Sequence, residues 1–120
     1  MTPLRRIAVI GNSLPRRCGI ATFTTDLERA IGNSRPNLQT CIIAMNDHGQ
    51  TYDYPRSVAL QIRDGTIEDY VRAASFLNAG QFDVVCLQHE FGIFGGEAGA
   101  HILELLTRLS MPVITTLHTV

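Results

Sequence analysis

Apolar runs of strand length, dense in valine and isoleucine, punctuate this chain: Ile7-Ala8-Val9-Ile10, Cys41-Ile42-Ile43-Ala44-Met45, Val84-Val85-Cys86-Leu87 and Val113-Ile114-Thr115-Thr116-Leu117. A run that is apolar on successive residues belongs to a strand buried on both faces, and such strands come from parallel sheets. Between the runs the period changes. Ile20, Phe23, Leu27, Ala30 and Ile31 recur at helical spacing on one face, Asp26, Glu28 and Arg29 fall elsewhere, and Gly32-Asn33 supplies a stop. Ile67, Tyr70, Val71, Ala74 and Leu77 share a second helical face behind Thr66, which forms a capping-box pattern with Asp69. Ile102, Leu105, Leu106 and Leu109 mark a third helix before Pro112, and residues 58–62 read as a short strand at a sheet edge. The order βαββαβαβ implies right-handed crossovers. The expected fold is α/β, a Rossmann-like doubly wound parallel sheet of order near 3-2-1-4-5 in three αβα layers.

Residues 1–120 fit one domain with room for a core. The chain stops two residues after a strand, on the side where such folds carry their chemistry, so the domain is expected to be incomplete. Ten arginines against eleven acids give a net charge of -1, no electrostatic footprint for nucleic acid or an anionic membrane. The absence of lysine excludes a Schiff base and a P-loop. Three scattered cysteines, two inside apolar runs, read as thiols in a reducing compartment, so the expected location is cytoplasmic. No apolar run approaches the roughly 18 residues of a spanning helix, and the start lacks the pattern of a signal peptide. Membrane contact by a longer protein is left open.

Ligands of doubly wound sheets sit beyond the carboxyl ends of the strands, and three stretches fall there. In Gly11-Asn12-Ser13-Leu14-Pro15-Arg16-Arg17-Cys18-Gly19, Gly19 before a helix lets backbone approach a phosphate and Arg16 offers a cation; the alternative is a turn with solvated arginines. Ser13 and Arg16 stand where G-x-G-x-x-G would place glycines, which disfavours a dinucleotide cofactor. Cys18 beside two arginines is a candidate thiolate nucleophile, though a small side chain packed on the loop explains it more simply. In the second stretch, His89 and Glu90 suit sugar hydroxyls or proton transfer, Phe91 and Phe94 a stacking wall, and Gly95-Gly96 a close backbone approach. No H-E-x-x-H or other spaced ligand pair points to a metal. The third is His118, at the mouth of the crevice, suited to a substrate hydroxyl, to a phosphate or to a structural role. His48 and His101 have no companions and read as solvated or structural.

The runs IAVIGNSLPRRCGIATFTTDL, DVVCLQHEFGIFGG and PVITTLHTV resemble, in order and spacing, the N-terminal half of family-four glycosyltransferases of the GT-B fold, a group that includes mannosyl- and glucosyltransferases. The resemblance spans nearly the whole chain. It implies an acceptor-side domain facing a C-terminal, donor-binding domain that is absent here. A hexose would move from a nucleotide-sugar donor to a glycan, lipid or small-molecule acceptor, with retention, without a metal or other cofactor, and the fragment alone would be inactive. The resemblance also implies that the loop ending in Cys18-Gly19 approaches the donor diphosphate, where many members carry paired glycines. It places His89 on the acceptor side and His118, in Thr116-Leu117-His118, near the reacting centre as the catalytic candidate. The alternative is a stand-alone flavodoxin-like module for a nucleotide or flavin; a nicotinamide-dependent oxidoreductase suffers from the missing glycine fingerprint.

Overall fold

The computed structural model describes residues 3–47 and 49–118. Five strands, β1 (Arg6–Gly11), β2 (Gln39–Asn46), β3 (Val58–Arg63), β4 (Val84–His89) and β5 (Val113–Leu117), form one parallel sheet in the order β3-β2-β1-β4-β5. Helices α1 (Gly19–Ser34), α2 (Ile67–Ala79) and α3 (Leu103–Leu106) connect them. The doubly wound α/β fold implied by the alternation of periods is the fold observed, with β3 at an edge.

Parity along the strands divides the interior. Ala8, Ile10, Ile43, Met45, Ile62, Val85 and Leu87 face α2 and α3, where Tyr70, Ala73, Ala74, Leu77, Ile102 and Leu105 complete the main core. Each large apolar side chain fully enclosed there, such as Leu77, Leu87 or Leu105, contributes about 1.5–3 kcal/mol. The opposite face carries α1 over β1 and β2. There the contact is made by small residues: Ala21, Thr24 and Thr25 are the buried side of α1, and a Cβ on Gly11 would lie 2.7 Å from Thr24 Oγ1.

The α1 surface differs from the face drawn through Ile20, Phe23, Leu27, Ala30 and Ile31. Close approach to the sheet favours the small residues, and Phe23 is 44% exposed, turned toward β5. Gly32 does not stop the helix but lets it pass β2, since a Cβ there would lie 2.9 Å from Thr40 Oγ1. Thr66 is the N-cap of α2 but makes no side-chain cap bond. Asp69 instead accepts from Arg63 N (2.9 Å), Nε (2.8 Å) and Nη2 (3.0 Å) and from Arg72. The third helix is shorter than its apolar period suggests. Positive φ at Ala98 and Gly99 breaks the preceding 3₁₀ segment, Glu97–Ile102, and only four residues of α3 follow.

At the amino edge of the sheet, Asp83 Oδ2 accepts from the amides of Arg5 (2.8 Å) and Arg6 (2.9 Å), holding the start of β4 against the start of β1. These two N–H groups keep the Asp83 carboxyl below its ordinary range. The Arg6 guanidinium lies over the Phe82 ring, 4.4 Å from its centroid.

Candidate functional site

At the carboxyl ends of β1, β4 and β5, where the crossovers part to opposite faces of the sheet, a cleft of about 480 Å³ opens. This is the switch point at which doubly wound sheets hold ligands. Asn12, Arg16, Cys18, Gly19 and Ile20 line one side, Glu90, Gly92 and Ile93 another, and His118 a third.

The first wall is built by the loop between β1 and α1. Ser13 is buried, and the loop is tied to α1 by Thr25 Oγ1, which lies 3.4 Å from Ser13 Oγ and accepts from Leu14 N at 3.2 Å; the Leu14–Pro15 peptide is cis. Arg16 is not a solvated side chain. Its Nη1 donates to Asn12 Oδ1 (2.8 Å) and Met45 O (3.4 Å), with the Asp47 carboxylate at 3.8 Å. Arg17 is exposed. Cys18 is the N-cap of α1: its sulfur accepts from Ala21 N at 3.3 Å and from Asn12 Nδ2 at 3.4 Å. The amides at the start of a helix have no intrahelical partner and carry its positive end. Here that end borders the cleft. A Cβ on Gly19 would meet nothing within 4 Å, so the space over this backbone is open.

On the second wall, Glu90 Oε2 accepts from Gly92 N at 3.0 Å, which turns the carboxylate beside the cleft. His89 lies behind it. Its ring is stacked on Phe94 (centroids 5.6 Å apart) and meets the edge of Phe91 (5.0 Å), while its buried Nδ1 has no partner among the described residues. Phe91 is 48% exposed. Gly95 and Gly96 point elsewhere. A Cβ on Gly95 would fall 2.1 Å from Asp64 O, and one on Gly96, at φ +83°, would fall 2.6 Å from the His101 ring. Gly95 N donates to Tyr70 Oη at 3.1 Å, and Tyr70 Oη donates to Asp64 O at 2.7 Å. The close approach these glycines permit is therefore to the protein's own atoms, the Asp64 backbone and the His101 ring. His101 packs there against Tyr70 in a structural role; His48 lies outside the described residues.

His118 supplies the third wall. Its amide donates to His89 O at 2.9 Å, its Nε2 lies 3.0 Å from Gln88 Oε1, and its ring meets Phe23 edge to face at 4.9 Å. Gln88 is the residue that reading the sequence overlooked. A carboxamide inside a strand otherwise apolar on both faces was the available signal, and its partner becomes visible only through the β4–β5 register, which pairs Gln88 with Thr116.

Burial pushes the Cys41 thiol up to about 11, and it also raises that of Cys86, so both remain protonated. Among the described residues no group of three or more His, Cys, Asp or Glu side chains is placed to hold a metal, and no helix is long and apolar enough to cross a membrane. A second cavity of about 500 Å³, lined by Leu4, Arg5, Arg35 and Leu38 among others, lies at the amino ends of the strands, away from these groups. Comparisons with known protein families, with characterised proteins and with solved structures return no match.

Proposed function

We propose that this cleft receives a nucleotide sugar and its acceptor, and that the chain forms the acceptor-side part of a cytoplasmic hexosyltransferase. One observation carries the reading: Arg16 and the open start of α1 at Gly19 border the same cleft as Glu90 and His118. A helix start with a guanidinium suits a diphosphate. A carboxylate and an imidazole suit hydroxyl groups. When a glycosidic bond to a nucleoside diphosphate breaks, charge gathers on the departing phosphate, and fixed N–H dipoles with a cation favour that change. The order of the three motifs supports the same reading, with a second domain supplying the remaining donor contacts and a glycan, lipid or small molecule accepting the hexose.

Calorimetric titration of the chain with UDP-glucose and GDP-mannose tests this. At least one is expected to bind, with Arg16→Ala weakening it by about tenfold, or about 1.4 kcal/mol, and Arg108→Ala leaving it unchanged. Failure of both to bind, or flavin absorption bands in the purified protein, would sink the proposal.

A further inference from the structure

Gln88 is fully buried, yet only one end of its carboxamide is engaged: Oε1 faces His118 Nε2 at 3.0 Å, while Nε2 has no partner among the described residues. A side chain present only for packing would more cheaply be apolar. Gly11 makes room for it, since a Cβ there would come within 3.0 Å of Gln88 Cβ. The His118 backbone is held by the hydrogen bond from its N–H to His89 O, and its ring is also fixed by the edge contact with Phe23.

A carboxamide oxygen only accepts, so the ring nitrogen facing it must carry the proton. In a neutral imidazole the other nitrogen is then an acceptor. Nδ1 of His118 has no protein partner among the described residues. We infer that Gln88 is a positioning residue that holds His118 as its Nε2–H tautomer, making Nδ1 an acceptor for a ligand hydroxyl and assigning any phosphate to Arg16 and the start of α1. Gln88 is neutral, so its part is to orient the ring and fix which nitrogen faces outward. The identity of the hydroxyl rests on the sugar-transfer reading of the cleft; the tautomer does not.

The test is two-bond ¹H–¹⁵N NMR on the histidine-labelled chain at pH 8.5, with His118 identified by the signals lost in His118→Asn. The wild type is expected to show the Nε2–H pattern. Gln88→Met, close in volume, is expected to reduce the excess of that tautomer by about fivefold, the worth of one ordinary hydrogen bond, with His101 unchanged. UDP-glucose is expected to shift Nδ1, and inorganic pyrophosphate to leave it unshifted. An Nδ1–H pattern in the wild type overturns the inference even if Gln88→Met fails to fold. An unchanged tautomer ratio in folded Gln88→Met, or a ring protonated by pyrophosphate, overturns it as well. An intact tautomer with no response to UDP-glucose supports the role of Gln88 and counts against the sugar-transfer reading alone.

Discussion

Replacing Gly19 with alanine separates the needs of the fold from those of a ligand. Gly19 is the first residue of α1, its φ lies outside the left-handed region, and an added Cβ would have nothing within 4 Å. The fold therefore gains from Gly19→Ala. Less backbone freedom in the unfolded chain is worth about 0.4–1 kcal/mol at a compatible site. For 120 residues, an unfolding entropy of about 2.1 cal/mol/K per residue totals roughly 0.25 kcal/mol/K, so the melting temperature should rise by roughly 2–4 °C. Binding should move the other way. A methyl group over the first amides of α1 displaces a diphosphate from the N–H groups it would bond, at a cost of about tenfold or more in affinity. Differential scanning calorimetry with and without UDP-glucose reads both quantities. A lower melting temperature would refute the claim of open space, and unchanged affinity would refute the claim that phosphate approaches here.

Gly95→Ala should behave in the opposite sense, because its Cβ would fall 2.1 Å from the Asp64 carbonyl oxygen and disturb the bond to Tyr70. A loss of about 2–4 kcal/mol in urea unfolding is expected for backbone forced apart in a packed region, and a fully stable variant would overturn this account of the glycine. Asp69 predicts a pH dependence. Hydrogen bonds from Arg63 hold the buried carboxyl below its ordinary range, with burial opposing them. Its contribution to stability is therefore complete above the ordinary carboxylate range and is lost as pH falls through the lowered value. Arg63 and Arg72 have side chains 67% and 58% exposed, so solvent screening limits the cost of Asp69→Asn to about 1–2 kcal/mol at neutral pH. Urea midpoints of the two proteins should converge under strongly acid conditions; a gap that widens there would show the sign to be wrong.

The sheet order was legible because runs apolar on both faces have few alternatives to a parallel interior, and because helix-period segments separate them. The face of α1 was harder to read. Apolar period ranks residues by size and polarity, whereas this helix approaches β1 and β2 through Ala21, Thr24 and Thr25, leaving Phe23 to meet His118. The length of α3 depended on left-handed backbone at Ala98, a conformation that alanine gives no reason to expect. In the cleft, Arg16, Gly19, Glu90 and His118 could be found because each falls just past a strand or at a helix start. Cys18 as an N-cap could not, since sulfur is an uncommon capping acceptor. Gln88 escaped because its meaning depends on the partner across β4 and β5, information carried by register and not by local pattern.

The Asp83 clasp on the amides of Arg5 and Arg6 has a reach beyond its own corner. A parallel strand shifted by one residue turns every side chain to the other face, so what anchors β4 to β1 at its start also decides that Gln88, not Leu87 or His89, lies beside Gly11 and His118 at its end. Roughly 17 Å of strand lies between cause and effect. Proximity to the cleft is thus a poor guide to which positions shape it, and Asp83 belongs among its determinants although it touches none of its walls.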